Sequence, residues 1–170
     1  LASNLVPDPL IAMNMELYSQ LIQHGYRRSG SQTYRPYCHH CQACIACRIP
    51  VSRFKTNRNQ RRCLKYNQDL HYQVVEAGYT EEYFLLYQKY LNARHADGSM
   101  ATPARSDFTH FLYSDWSDTL FFEVRKHHQL LAVAVCDITT TGLSAVYTFF
   151  DPQETKRSLG SYCILKQIEL

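Results

Sequence analysis

The chain has 170 residues, of which 45% are hydrophobic and 19% are charged, so its composition is that of a folded domain and excludes disordered and fibrous proteins. The longest uninterrupted apolar run has seven residues, from Leu130 to Cys136, whereas a membrane-spanning helix needs about 20. The net charge is +3, but ten Lys and Arg and no acidic residue lie between residues 27 and 65, while the other eight Lys and Arg face all fifteen Asp and Glu. This asymmetry predicts a polyanionic partner, nucleic acid first, although a solvated basic surface gives the same pattern.

The N-terminal part of the chain begins with a predicted helix over residues 13–25, because its apolar residues have helical spacing and Gly25 is typical of a helix end. Residues 26–54 are interrupted by Gly and Pro and contain a Cys cluster, which predicts short strands and loops around a bound metal. Residues 57–67 predict a short basic helix. Its spacing places four cationic side chains on one side: Arg58, Arg61, Arg62 and Lys65.

The C-terminal part combines helices with a sheet. We predict a strand over 70–75, a helix that Thr80 caps and that runs to about Arg94, and a shorter helix from Thr102-Pro103 to about Tyr113. Three β-branched and aromatic runs then predict a three-stranded antiparallel meander, over 120–126, 130–138 and 143–150. A last helix follows Gly160. The sequence therefore predicts an α+β fold, with an N-terminal region at 1–67 and a second domain at 68–170.

Four of the seven cysteines form one run at Cys-x2-Cys spacing, namely Cys38, Cys41, Cys44 and Cys47. Thiolates at this spacing ligate zinc and iron–sulfur clusters. Two pairs on one zinc are normally further apart, so the tandem run favours an iron–sulfur cluster over zinc, with free thiols as the third interpretation. The other three cysteines fall on apolar faces and are predicted core residues. This pattern favours metal ligation over a disulfide scaffold and therefore a reducing, cytoplasmic location.

The basic stretch also interleaves Tyr and Phe with its Arg and Lys. Aromatic rings stack on unpaired bases while guanidinium groups meet phosphates, which is the mixture that single-stranded RNA ends need. Each ring alone is equally well explained as a half-buried sheet residue. Together with the charge asymmetry, the pattern favours contact with RNA.

The segment from Tyr147 to Gly160 is the third constellation. A strand ends in the Asp151-Pro152 turn, and a basic loop with Arg157 leads to a helix whose free N-terminal amides can hold an anion. We interpret this strand end as a functional site, the alternative being a loop shaped only by its Pro and Gly. The sequence contains no Ser-His-Asp order, Walker loop or dinucleotide-binding glycine motif.

With these residues in view, the sequence closely resembles the bacterial aspartate/glutamate leucyltransferases, short relatives of the arginyl-tRNA–protein transferases. The matching blocks follow one another along nearly the whole chain: Gly25–Gly30, Tyr34–Cys38, Cys41–Cys44, Arg48–Phe54, Asn59–Arg62, His95–Met100, Ser144–Pro152 and Arg157–Gly160. The resemblance implies a GNAT-type acyltransferase domain behind a small Cys-rich basic region. It also implies a cytoplasmic enzyme that moves leucine from leucyl-tRNA to the α-amine of proteins beginning with Asp or Glu and so marks them for degradation in the N-degron pathway.

The sequence departs from the family pattern at two points. Cys47 stands where relatives usually carry an apolar residue, so it is the least secure of the four metal ligands. Gly160 is followed by Ser161 and Tyr162, whereas an acetyl-CoA loop needs a small residue two positions after its glycine, which argues against acetyl-CoA as donor. Because the chain starts without Met or a secretory signal and stops within a predicted helix, we expect both ends to lie inside a longer polypeptide.

The residues and the resemblance together predict which side chains take part in catalysis, in substrate binding and in tRNA binding. The catalytic candidates are Asp151 as proton acceptor and, for the oxyanion, the Tyr147 hydroxyl or the amides near Gly160. The candidates for substrate binding, chiefly for the acidic acceptor, are Arg157, Arg105, Arg28 and Ser158. The candidates for tRNA binding are Arg53, Lys55, Arg58, Arg61, Arg62 and Lys65. The leucyl group needs an apolar slot, near Phe149 or Trp116.

Two other functions stay open at this point. Arginyl transfer would need an acidic donor pocket, and the segment from Tyr147 to Gly160 has no acidic residues beyond Asp151 and Glu154, so leucyl transfer is preferred. A non-enzymatic RNA-binding metal module would use the Cys cluster and the basic helix, with the meander as scaffold. The sequence leaves the oligomeric state open.

Overall fold

Residues 3–95 and 103–170 are described by the structure, a computed structural model. Within these ranges the strands are β1 (Asn4–Leu5), β2 (Arg27–Ser29), β3 (Gln32–Pro36), β4 (His71–Glu76), β5 (Thr119–Lys126), β6 (Gln129–Thr139) and β7 (Gly142–Phe150). The helices are α1 (Met15–Gln23), α2 (Arg58–Tyr66), α3 (Glu81–Arg94), α4 (Arg105–Leu112) and α5 (Leu159–Ile168), with a 3-10 turn at Val51–Arg53. None of the described helices has the length and apolar character that crossing a membrane requires.

The centre of the fold is an antiparallel sheet with the strand order β4-β5-β6-β7. Its last three strands are the predicted meander, and the separately predicted strand at 70–75 joins it as a fourth, paired with β5. The β6–β7 pairing shifts register between Val135 and Cys136, so β7 carries an irregularity before it reaches its end. The predicted α+β class with antiparallel strands is confirmed.

Helices cover both faces of this sheet, which is why β6 is buried from Leu130 to Asp137 without the alternation of a half-exposed strand. On one face α3 and α4 pack through aromatic rings, with Tyr87 and Phe108 fully buried against Phe149. On the other face lies α5, whose buried residues include Leu159, Tyr162 and Cys163. Cys136 and Cys163 are buried core residues, as predicted, and Cys63 is half-buried.

A smaller sheet has the strand order β1-β3-β2. Its anchor is Arg28, whose Nε and Nη2 donate hydrogen bonds of 2.6 and 2.7 Å to the carboxylate of Asp137. Both side chains are completely buried. The next turn contains Gly30, whose backbone N–H donates to the carbonyl of Phe111 at 2.9 Å. The small sheet is therefore fixed to both β6 and the end of α4.

Capping side chains define most of the helix starts. Asn57 and Gln60 form a reciprocal capping box on α2, and the Thr80 hydroxyl accepts from Tyr83 N–H on α3, as the sequence predicts. The start of α4 was predicted wrongly, since its first residue is Arg105 and Pro103 lies before the helix. The carboxylate of Asp107 accepts the Ala104 N–H at 2.7 Å and sets this later start. The predicted Thr102 cap lies outside the described residues.

Contacts cross the predicted domain boundary at residue 67. The helix α2 packs on α5, and α1 packs on β6. The division into 1–67 and 68–170 stays a prediction.

Candidate active site

A cavity of about 300 Å³ lies where β7 ends, between the end of α3 and the start of α5. Arg94 lines it from α3, Phe150 and Pro152 from the end of β7, and Ser158 to Ser161 from the start of α5. The structure thus brings together the strand end, the basic loop and the helix start that the sequence analysis singled out.

The start of α5 leaves its backbone donors open to this cavity. Ser158 is in the left-handed region, with φ 51° and ψ 47°, and its side chain makes no capping hydrogen bond. Such a conformation costs an L-residue about 1–2 kcal/mol and sharply redirects the chain. The first amide bonded within the helix belongs to Tyr162, which donates to the Ser158 carbonyl at 3.0 Å. Among the described residues, the amides of Leu159, Gly160 and Ser161 have no acceptor, so they suit a negatively charged oxygen.

In the sequence Asp151 lies between Phe150 and Pro152, which both line the cavity wall, and its side chain is almost fully buried. Its carboxylate accepts hydrogen bonds from Lys89 Nζ at 2.8 Å and from the Gln153 backbone N–H at 2.9 Å. Its own N–H donates to the Leu131 carbonyl at 2.8 Å, which continues the β6–β7 ladder. The carboxylate is therefore fixed in direction by two donors beside the cavity.

Lys89 was missed by the sequence analysis. It is exposed on α3, and its Nζ donates a hydrogen bond to Asp151, a residue 62 positions further along the chain. A single exposed Lys on an amphipathic helix is normally solvated, and its spacing carries no signal of this contact. Only the packing of α3 across the end of β7 identifies it.

Tyr147 lies within an aromatic cluster beside the cavity wall. Its ring meets those of Tyr87, Tyr90 and Phe111 edge-on, and Tyr90 in turn lies 4.9 Å from the Phe150 ring centroid. Desolvation by burial raises the pKa of the Tyr147 hydroxyl to about 12, so this group is a proton donor and not a base at neutral pH. The ring is half-buried and is one layer behind the wall that Phe150 forms.

Arg157 is not an open anion receptor, contrary to prediction. It is nearly buried, and its Nη1 and Nη2 donate to both oxygens of Asp69 at 2.8 and 2.9 Å, while its Nε donates to Glu154 at 2.9 Å. The hydrogen bonds from Arg157 lower the pKa of Asp69 to about 2. Tyr66 lies against its guanidinium. Arg157 therefore fixes the 152–158 loop to the end of α2.

The other two arginines predicted for acid recognition are also engaged. Arg28 is buried against Asp137 and has no surface for a ligand. Arg105 is exposed, and its Nη2 donates to Glu81 at 2.8 Å and its Nε to Tyr79 at 2.9 Å. The structure does not gather Arg157, Arg105 and Arg28 into one pocket, because each is held by a partner acid from a different element. Ser158 lines the cavity, and its role in substrate binding stays a prediction.

The basic helix α2 lies directly beside this site. Every predicted tRNA-binding side chain is exposed: Arg53, Lys55, Arg58, Arg61, Arg62 and Lys65. The opposite side of the helix faces α5, where the Cys63 thiol approaches the Arg157 carbonyl at 3.7 Å and the Asn67 side chain donates to the same oxygen at 2.8 Å. A cationic surface is thus attached to the loop that leads into the cavity.

The Cys cluster is not arranged as a metal site. Cys38 and Cys41 face each other in an isolated β-bridge, and Cys41, Cys44 and Cys47 are exposed. In the part of the chain that the structure describes, no three His, Cys, Asp or Glu side chains come together as metal ligands would. The loop is instead held on the end of α1, where Arg48 donates to the Ile22 carbonyl at 3.2 Å. The side chains as placed do not fit a zinc ion or an iron–sulfur cluster.

Two family models match the chain. The one described as "Arginine-tRNA-protein transferase, N terminus" matches residues 2–62, and the one described as "Arginine-tRNA-protein transferase, C terminus" matches residues 82–170. Proteins of known sequence named aspartate/glutamate leucyltransferase are similar over almost the whole chain. One from Pseudomonas paraeruginosa is 52% identical over 98% of this chain and 71% of its own length, and one from Hahella chejuensis is 49% identical over 99% and 72%. A third, from Pseudomonas fluorescens, is 50% identical over 98% and 71%.

Proposed function

This chain belongs to the arginine-tRNA–protein transferase family, and from this premise we propose that it moves leucine from leucyl-tRNA to the α-amine of proteins that begin with Asp or Glu. The relatives that are about half identical in sequence are named for this activity. The structural observation that carries the proposal is the cavity at the end of β7, where open backbone donors, a fixed carboxylate and a basic helix meet. The product would be a cytoplasmic protein marked for degradation through the N-degron pathway.

The reaction needs positioning more than chemical activation. An aminoacyl ester is already activated, so the enzyme mainly has to hold the amine against the ester carbonyl, and no covalent intermediate is required. Two demands follow, removal of a proton from the attacking α-amine, whose pKa is near 8, and stabilisation of the tetrahedral oxyanion.

Residues in the cavity wall and beside it would supply both functions. The amides of Leu159 and Gly160, which line the cavity, would donate to the oxyanion, whereas the Tyr147 ring lies behind the cavity wall. Asp151 would take the proton from the amine, directly or through a water molecule, as the amine attacks the leucyl carbonyl carbon. When the ester bond to the tRNA then breaks, the same proton would pass to the departing ribose oxygen, so that the products are the leucylated protein and free tRNA. Lys89 would hold that carboxylate in its direction without touching the substrate.

The exposed side of α2 would bind the acceptor end of the tRNA. Its side chains are free to meet phosphates, and its other side is attached to the loop before α5. An RNA strand on this helix would therefore reach the cavity with its esterified end. Arginyl transfer is the alternative donor choice, and it would need an acidic pocket, whereas Glu154, the carboxylate in the cavity wall, is already bound by Arg157.

We also propose the GNAT type for the fold. An antiparallel sheet with an irregular last strand, followed by a helix whose N-terminus opens at the strand end, supports this assignment. The donor would be leucyl-tRNA and not acetyl-CoA, since Tyr162 fills the position where an acetyl-CoA loop needs a small residue. No step of the proposed reaction runs through the Cys cluster, because its thiols do not converge.

A transfer assay tests the proposal. Full-length protein is incubated with radiolabelled leucyl-tRNA or arginyl-tRNA and with peptides that begin with Asp, Glu or Ala. Leucine on the two acidic peptides alone is the expected result. Arginine on these peptides would instead establish the arginyl reaction, and tRNA binding without any transfer would establish a non-enzymatic RNA-binding module.

A further inference from the structure

Selection of an acidic acceptor requires a cation near the reacting amine. The side-chain carboxylate of an N-terminal Asp or Glu is only a few bonds from its α-amine, so the two groups must enter one cavity together. The arginines predicted for this task are each held by an acid of the protein, namely Asp69, Glu81 and Asp137. A cation that has no acidic partner in the described part of the fold is therefore the better candidate.

Arg94 has the required position. It is exposed at the last turn of α3 and lines the cavity together with Phe150 and the first residues of α5. Its guanidinium carbon lies 5.9 Å from the centre of the Phe150 ring. Among the described residues no carboxylate lies within ion-pair distance of it, whereas Lys89 is paired with Asp151 and Glu154 with Arg157.

We propose that Arg94 binds the side-chain carboxylate of the acceptor and thereby determines the specificity for N-terminal Asp and Glu. This inference rests on the proposed function. A guanidinium presents two parallel N–H donors that match a carboxylate, and the Phe150 ring below supports it in a fixed plane. The open amides of α5 increase the positive potential on the opposite wall. The α-amine of the acceptor would then face Asp151, and the side-chain carboxylate of the acceptor would face Arg94. Each of the two groups would meet a group of opposite charge.

The test compares peptides that differ only in this charge. The kcat/KM for leucine transfer is measured with peptides beginning with Asp and with the isosteric Asn, using the full-length protein and its variant Arg94→Gln. Because charge-assisted hydrogen bonds contribute about 1.5–3 kcal/mol, we expect the variant to lose roughly 10- to 100-fold in kcat/KM for the Asp peptide. The Asn peptide and the KM for leucyl-tRNA change little, and Arg94→Lys recovers part of the loss.

The control and the opposing outcomes separate the alternatives. Lys166→Gln removes the same charge from the far end of α5 and leaves the preference for Asp over Asn unchanged. If Arg94→Gln keeps the wild-type preference, the assignment is overturned. It is overturned equally if the variant raises the KM for leucyl-tRNA with every acceptor, since Arg94 would then contact the tRNA. If the wild-type protein transfers no leucine, the proposed function fails first, and the inference fails with it.

Discussion

The side-chain amide of Asn67 donates a 2.8 Å hydrogen bond to the backbone carbonyl of Arg157, a residue 90 positions further along the chain. Asn67 is fully buried, and its backbone N–H also closes α2 through the Cys63 carbonyl. One side chain thus joins the end of the basic helix to the loop before α5. In the proposed function, this link would place a tRNA bound by α2 at a fixed distance from the open amides of the cavity.

Removing two charges from α2 should weaken tRNA binding and reduce its dependence on salt. The double variant Arg61→Gln with Arg62→Gln loses two exposed cations that have no acidic partner among the described residues. Each lost phosphate contact lowers the slope of log affinity against log salt by about 0.7–0.9. Fluorescence anisotropy at several salt concentrations measures the slope, with Lys166→Gln as control. An unchanged slope would remove α2 from the tRNA site.

Substitution Asp151→Asn should abolish most transfer and preserve tRNA affinity. The amide still accepts the hydrogen bond that Gln153 donates in the wild type, but it cannot take a proton from the amine. Loss of a general base costs roughly 10²- to 10⁴-fold in rate. Single-turnover transfer from leucyl-tRNA measures the effect. Glu154→Gln removes a carboxylate from the same cavity wall and should retain most of the rate. Full activity of the Asp151 variant would exclude this residue as the base.

Loss of Arg28 should destabilise the whole fold. In Arg28→Met the carboxylate of Asp137 stays buried without its partner, and such a loss costs about 3–5 kcal/mol of unfolding free energy. Urea denaturation followed by circular dichroism measures it. The double variant with Asp137→Leu recovers part of the stability. Arg105→Met, which breaks an exposed pair with Glu81, leaves the unfolding free energy nearly unchanged. Equal effects of the two single variants would contradict the structural role of Arg28.

Gly30 should tolerate no side chain. It has φ +58°, and an added Cβ would lie 1.8 Å from the carbonyl oxygen of His110. Gly30→Ala must therefore move the turn away from α4, and we expect it to cost more than about 2 kcal/mol of unfolding free energy. Gly78, around which a Cβ meets no atom within 4 Å, is the matched control, and Gly78→Ala changes stability by less than about 1 kcal/mol. Thermal unfolding of both variants compares them.

The free energy of unfolding should fall in acid because the Glu123 carboxylate becomes protonated. Desolvation raises the pKa of this buried carboxyl, but the hydrogen bonds from Arg125, Tyr83 and Gln73 outweigh it and lower the pKa from 4.5 to about 2. Because the folded-state pKa is depressed, the stabilisation is complete above pH 4.5 and disappears as the pH falls towards 2. Thermal midpoints between pH 2 and pH 7 measure it. Glu123→Gln should flatten this part of the profile, and an unaltered acid limb would contradict the assignment.

The local parts of the fold follow from the sequence. Helix α2 has the spacing and exposed charges that residues 57–67 predict, because both depend on neighbours within a few positions. The strands β5 to β7 follow from their β-branched runs in the same way. Residues near the end of β7 also meet as expected, since a short loop joins Asp151 to α5.

The partners of the charged side chains could not be predicted. Arg157 and Asp69 are 88 positions apart, and Arg28 and Asp137 are 109 positions apart, so no spacing rule connects them. An unpaired arginine and a buried structural one look alike in a sequence. For the same reason the sequence pointed to three engaged arginines and not to Arg94, whose proposed role depends on the groups beside it in the fold.

The strand order has a consequence for synthesis on the ribosome. Each strand from β4 to β7 pairs with the next strand in the chain, although α3 and α4 separate β4 from β5 in sequence. The strands β5, β6 and β7 can therefore assemble as soon as they emerge. The small N-terminal sheet emerges first but cannot dock then, because Arg28 finds Asp137 only after 109 further residues have been made. A cationic segment of the nascent chain, with its exposed cysteines, therefore waits without its anchor until β6 is complete.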